Sequence, residues 1–349
     1  MKKLVAILLV LVLVFSFAAC APKAYAPADA PADAPADAPA DVPADAPAAE
    51  DINGDGVVKI GYAVSSLSES FAVVLQERIF KLFGEEHPDW EVIIQDSNYD
   101  VNTELAVTES FIQQNCDIVM WHAVDTSGSA AAVQACNDAG IPAITLINVV
   151  NVDDDDCIWI GAQNYDCGKL IAEYVRDKIP QNAKICILQG PAGTVNSQDR
   201  VDGFLENLNR DDIEILDEQY GDWKMELGLT IMENWLQAYE QIDYVFSCSD
   251  TMTPGAIEAL KAAGRLDKTM VSSVDCSFDG MTCLANGEYV CDMLYNTDTA
   301  ANLALEACER LIAGESMTDI GAMTYPFELI TPENAQETID WYFEGFDVG

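Results

Sequence analysis

Along most of the chain, short runs of near-continuous apolar residues alternate with stretches whose apolar positions recur every three or four residues. The first run is Val58–Val64; Phe71, Val74, Leu75, Ile79 and Leu82 then mark one face of a helix over 71–85. The same reading predicts strands at 91–95, 117–122 and 142–147, with helices at 101–115 and 126–139 between them. A second series follows, with strands at 183–189, 213–219, 243–247 and 269–275 separated by helices at 197–209, 224–239 and 252–264. Strands apolar on both faces that alternate with helices belong in parallel sheets covered on both sides. Two such series, each with room for one doubly wound sheet, predict an α/β chain of two lobes with a cleft between them.

The N-terminal residues break this pattern. Lys2 and Lys3 precede the apolar run Leu4–Phe17, and Ala18 and Ala19 lead into Cys20, the layout of an export signal over 1–20. The run falls short of the ~18–20 apolar residues that a membrane span needs. Phe17-Ala18-Ala19-Cys20 resembles the lipobox of bacterial lipoproteins, which implies acylation at Cys20 and anchoring to the outer face of the cytoplasmic membrane. From Pro27 to Glu50 the motif Ala-Asp-Ala-Pro repeats, with Val42 as a substitution. Regular proline blocks helix and nothing there is apolar enough to form a core, so 21–56 reads as an extended linker of about 3 Å per residue. Asp51-Ile52-Asn53-Gly54-Asp55-Gly56 begins like a calcium loop, but the twelfth position is Tyr62 instead of an acid. We read it as a turn before a strand.

Composition narrows the function. The 349 residues include 17 basic and 59 acidic side chains, a formal charge of −42, and few of the acids lie in the spacer. Such a surface repels nucleic acid. Half the residues are hydrophobic, enough to fill a core. His87 and His122 are the only histidines, which excludes a multi-histidine metal centre, and no metal or cofactor is expected. Neither G-x-G-x-x-G nor G-x-x-x-x-G-K-[ST] occurs, and no nucleophile elbow accompanies the histidines, which argues against an enzyme.

In open α/β sheets ligands bind beyond the carboxyl ends of the strands. At those positions stand Ser65, Glu69 and Phe71 in the first series, then His122 and Asn148. In the second series they are Asn196, Gln198, Arg200, Trp223, Ser249, Asp250 and Asp275. Carboxylates, amides and a forked arginine suit a polyhydroxyl ligand, and aromatic faces cover the C–H face of a sugar ring. The simpler alternative is that Ser65, Asn196 and Asp250 cap the helices that follow them.

The segments VKIGYAVSSLSESF, DIVMWHAVD, GIPAITL, ILQGPAGT with a following R-x-x-GF, VFSCSDTMTPGAIEALKAAG, SSVDCSFDG and LITPEN occur in the order found in one family. Over 57–330 the chain resembles type 1 periplasmic sugar-binding proteins of ABC transporters, specifically the ribose- and galactose/glucose-binding group. The resemblance implies Rossmann-like lobes at 57–162 plus 296–326 and at 163–295 plus 327–349, joined by a three-strand hinge. It further implies closure of a monomer around one monosaccharide, and delivery to a membrane permease served by a separate ATPase subunit. Phe71 and Trp223 match the aromatics that sandwich the sugar, and Glu69 stands where the glucose/galactose binders place an aspartate. Asp275 matches a ligand aspartate; His122 and Ser249 stand where asparagines are usual; Tyr295 or Asn296 occupies the hinge-proximal amide position. The usual ligand arginine aligns with Gln198, and Arg200 follows two residues later. Ile147-Asn148 replaces the Asp-Arg pair of ribose binders, and Glu69 with two aromatics favours a pyranose.

Related readings separate on other features. A sugar-responsive repressor needs a basic DNA-binding headpiece where the export signal stands. A protein that presents sugar or nucleoside to a receptor kinase shares the same binding surface, so the sequence leaves delivery and sensing both open. Ten cysteines besides Cys20 lie without C-x-x-C spacing, several in apolar runs, and read mostly as free thiols; Cys276, Cys283 and Cys291 are near enough for one local bridge.

Overall fold

The computed structural model describes residues 51–344, so the signal, Cys20 and the repeats before Glu50 lie outside the described residues. The first sheet contains β1 (Lys59–Val64), β2 (Glu91–Asp96), β3 (Ile118–His122), β4 (Ala143–Leu146) and β5 (Ile158–Gly161). Late in the chain β11 (Met323–Thr324) joins its edge. Their spatial order is β2-β1-β3-β4-β5-β11, with every pair parallel. The second sheet has the order β7-β6-β8-β9, also parallel, from β6 (Lys184–Gln189), β7 (Glu214–Tyr220), β8 (Tyr244–Ser247) and β9 (Met270–Ser272). A single bridge from Ser272 to Cys291 carries it toward β10 (Asp292–Leu294), which pairs antiparallel with β12 (Glu328–Ile330).

In both sheets the order reverses beside the first strand, which places the switch-point crevices after β1 and β3 and after β6 and β8. The chain passes between the two sheet systems three times: between β5 and α4 (Asn164–Val175), between β10 and α9 (Thr297–Ile312), and between β11 and β12.

Periodicity explains the helices. In α1 (Ser70–Glu86), Ala72, Leu75, Ile79 and Phe83 are fully buried against the first sheet's strands. Arg78, on the same helix, lies 4.1 Å from the Tyr342 ring centroid, donates to the Tyr342 carbonyl and pairs with Asp298. It therefore ties α1 to α9 and to α11 (Ala335–Tyr342). In the second half, α4 lies so close to α5 (Val195–Leu208) that a Cβ on Gly168 would stand 1.9 Å from the Arg200 carbonyl oxygen. One on Gly203 would stand 2.0 Å from the Tyr165 carbonyl oxygen, so backbone meets backbone at both glycines.

Several expectations change. The helix expected over 126–139 begins as α3 at Ala130, because Asp125 Oδ1 accepts the N–H groups of Ser127 and Gly128 and holds a turn there. The strand expected over 269–275 stops at Ser272, and Asp275 and Cys276 turn away with φ of 100° and 52°. Within the expected linker, 51–56 is fastened to the body: Asn53 N–H donates to Asp117 Oδ1 at 2.8 Å and Asn53 Nδ2 to the Asn115 carbonyl at 2.7 Å. All ten described cysteines are unpaired, so no bridge joins Cys276, Cys283 and Cys291. Both α4 and β5 lie where no element was expected.

Substituting Gly203→Ala should lower stability by about 1–3 kcal/mol, because neither backbone can yield to the added methyl without separating the helices. An unchanged thermal midpoint would show that α4 and α5 have slack.

Candidate functional site

A cavity of about 760 Å³ opens between the carboxyl ends of the two sheets. Glu69, Phe71 and Tyr99 line it from the first half, and Trp223, Asp275 and Phe278 from the second. Glu69 is the residue before α1, so the turn after β1 delivers both it and Phe71. Across the cavity, Asp222 and Trp223 have φ of 51° and 55°, in the left-handed region that non-glycine residues seldom adopt. That turn precedes α6 (Met225–Ala238) and lays the indole over Gly190, where a Cβ would stand 2.1 Å from Trp223 Cζ2. Left-handed backbone thus gathers at strand ends that line the cavity.

The second half contributes an ion pair. Arg200 is 3% exposed; its Nη2 lies 3.2 Å from Asp275 Oδ1, its Nε donates to Asn164 Oδ1 at 2.9 Å, and its Nη1 donates to the Cys248 carbonyl. Ser249 donates to the other Asp275 oxygen at 2.6 Å. On the first half, Tyr99 donates its hydroxyl to Glu69 Oε2. Burial raises the Glu69 carboxyl to about 7, and the Asp275 charge adds to the rise; the Tyr99 and Ser65 hydroxyls and the Arg200 charge act in the opposite direction. Burial lowers His122 to about 4, so it is neutral at physiological pH. Its Nδ1 lies 3.0 Å from Ser65 Oγ, and its ring meets Phe71 edge-on at 5.9 Å.

The sequence-predicted residues divide accordingly. Glu69, Phe71, Trp223 and Asp275 line the cavity, while Ser65, His122, Arg200 and Ser249 stand behind them and hold them. Tyr295 supports Phe71 edge-on at 5.7 Å, but it is fully buried and its hydroxyl accepts the Ala162 N–H at 2.7 Å. Asn296 does not line the cavity: its Oδ1 caps α9 at Thr299 and its Nδ2 donates to Glu328. Gln198 is also displaced, because it lies on the solvent side of α5 and donates to Asp202; Arg200, half a turn on, faces inward. Asn148 and Asn196 bond each other at 3.2 Å between the halves and line a separate cavity of about 40 Å³.

Tyr99, Phe278, Tyr342 and Phe343 line the main cavity without having been singled out. Tyr99 closely follows β2 and was legible by the strand-end rule. Tyr342 and Phe343 come from the C-terminal helix, whose return to the cleft has no local signature.

Beneath Asp275 lies a second pair of acids. Asp250 and Asp292 are 3% and 0% exposed. Asp250 Oδ2 accepts the Ser277 N–H at 2.8 Å and Asp292 Oδ1 accepts the Met293 N–H at 2.7 Å. Their remaining oxygens are buried without a donor. Burial holds both carboxyls above the usual range. The Asp292 charge adds to the rise at Asp250 and the Asp275 charge to that at Asp292, whose bond to Asp250 acts the other way, a balance that favours a proton kept between the two. Asp250 also accepts the Ser277 hydroxyl and so holds Ser277, the residue before α8 (Phe278–Ala285).

Comparison with known proteins places this arrangement. The family described as "Periplasmic binding protein domain" matches residues 60–316. The ribose import binding protein RbsB of Bacillus subtilis is 27% identical over 258 residues, which cover 74% of this chain and 83% of that protein. A xylitol-binding protein of Mycolicibacterium smegmatis is 28% identical over 260 residues, 72% of this chain and 71% of that one. Among solved structures, an ABC transporter solute binding protein of Bacillus halodurans with bound myo-inositol superposes with a TM-score of 0.74 at 28% identity. That match covers 80% of this chain and 96% of the other.

The acid pair generates a pH prediction. Carboxyls raised by folding contribute stability that is fully present below their unfolded value near 3.8 and is lost as pH rises from there through the folded value, about 7 for Asp292. Relative to the wild type, Asp292→Asn, whose amide can donate to Asp250, should gain a few degrees of thermal midpoint between pH 5 and pH 8. A difference that stays constant with pH would remove the shared proton. Gly190→Ala should displace the Trp223 ring and change tryptophan fluorescence with little loss of thermal midpoint; an unaltered spectrum would show that the ring does not rest on Gly190.

Proposed function

The chain belongs to the periplasmic binding protein domain family, whose members bind solutes and are not enzymes, and from that premise we propose that it captures a monosaccharide outside the cytoplasm for an ABC-type importer. A pyranose is the favoured ligand, and the receiving partner is a membrane permease driven by a separate ATPase subunit. Acylation at Cys20 would hold the body at the outer face of the membrane, with the repeats as a spacer. The observation that carries this reading is a pair of aromatic side chains, Phe71 and Trp223, on opposite walls of one cavity that also presents carboxylates. Rings suit the C–H faces of a sugar, and Glu69 and Asp275 suit its hydroxyls. Relatives whose names specify ribose, xylitol and myo-inositol agree with a polyhydroxyl ligand.

In this reading the lobes are 57–162 with 296–326 and 163–295 with 327–349, and the three chain crossings form the hinge. The cavity exceeds what one sugar ring fills. Closure therefore reduces it, brings the rings onto the ligand and excludes water, and the ligand selects the closed arrangement through contacts made only there.

A thermal-shift panel of pentoses and hexoses should find at least one sugar that raises the midpoint. For that sugar, Trp223→Ala should weaken binding about tenfold or more by calorimetry, since one well-placed ring supplies on the order of 1 kcal/mol beyond its buried area. Unchanged affinity in a folded variant would remove Trp223 from the site.

A further inference from the structure

We propose that the ligand is a cationic polyol, a sugar or cyclitol bearing a protonated amine, with its ammonium group held against Glu69. This inference rests on the sugar-binding reading above and specifies the ligand class for the same cavity.

The charges inside the cavity do not balance. Arg200 is buried behind Asp275 and its donors are engaged by Asp275, Asn164 and the Cys248 carbonyl. Its charge is matched before any ligand arrives. Lys224 also lines the cavity, from an exposed position. Glu69, by contrast, bonds only neutral groups, the Tyr99 hydroxyl and the Ser65 hydroxyl behind it, and the Arg200 charge that acts on it is already paired with Asp275. Asp222 and Asp279 add further acids to the lining.

A neutral sugar would donate a hydroxyl to Glu69 and leave its charge in place. Closure would then remove water from an uncompensated carboxylate, which is costly unless the group takes up a proton. The raised Glu69 value reports that tension in the protein without ligand. An ammonium group resolves it directly, through a charge-assisted bond in a site screened from water. The same cavity offers Phe71, two residues from Glu69, and Trp223 on the opposite wall, and aromatic faces attract a cation as well as C–H groups. Sugar acids and sugar phosphates would meet like charge instead.

The test is calorimetry at pH 7.5 with matched pairs: glucose and glucosamine, galactose and galactosamine, mannose and mannosamine. Each pair is measured on the wild type and on Glu69→Gln, whose fold is checked by its thermal midpoint. We expect one amine to bind at least tenfold more tightly than its neutral parent, with that preference reduced to about threefold or less in Glu69→Gln. A neutral parent that binds as well as or better than its amine overturns the cationic ligand and leaves the sugar-binding reading standing. So does a preference that survives Glu69→Gln. Failure of every amine to bind overturns the cationic ligand, and the sugar-binding reading falls with it only if the pentose and hexose panel above also finds no ligand.

Discussion

The ion pair between Arg200 and Asp275 joins elements that are distant in sequence. Arg200 belongs to α5, Asp275 to the left-handed turn after β9, and the same guanidinium reaches Asn164 on α4 and the carbonyl of Cys248 after β8. An arginine this buried is tolerable because each edge of its planar fork has an acceptor. Remove the acid and a charge is stranded away from water; remove the arginine and Asp275 loses its counter-charge. The pair sets the height and orientation of the second half's strand ends, and through Ser249 it also settles the loop after β8.

Around this pair the protein handles surplus negative charge in two ways. Asp250 and Asp292 are buried, and that burial holds both carboxyls toward their protonated form, with one oxygen of each left without a donor. Glu69 lies at the open cavity, where its hydrogen bonds come from hydroxyl groups. One acid pair thus lies within the fold while the other acids line the cavity. The distinction follows from depth, because the cost of an unpaired charge grows with distance from water.

Aromatic residues divide similarly. Tyr295 is enclosed and braces Phe71 from behind, whereas Phe71 and Trp223 retain faces toward the cavity. The Trp223 position depends on Gly190, since any larger residue there would occupy the space the indole fills. The shape of the cavity therefore relies on backbone features, a missing Cβ and a few left-handed residues, as much as on the side chains that line it.

The alternation of elements, the parallel sheets and the positions worth inspecting were determined by sequence alone, because periodicity and strand-end polarity are local properties. Glu69, Phe71, Trp223 and Asp275 were legible for that reason. Whether Gln198 or Arg200 turns inward was decided by the packing of α5 on α4, and Asn296 was diverted from the cavity by the unsatisfied N–H groups at the start of α9. Tertiary structure likewise brought Tyr342 and Phe343 to the cleft and set Asp250 against Asp292, since these depend on contacts between residues far apart in the chain. A side chain's neighbours along the chain fix which element it joins, but only its neighbours in space decide whether its polar atoms are already engaged or remain free for a ligand.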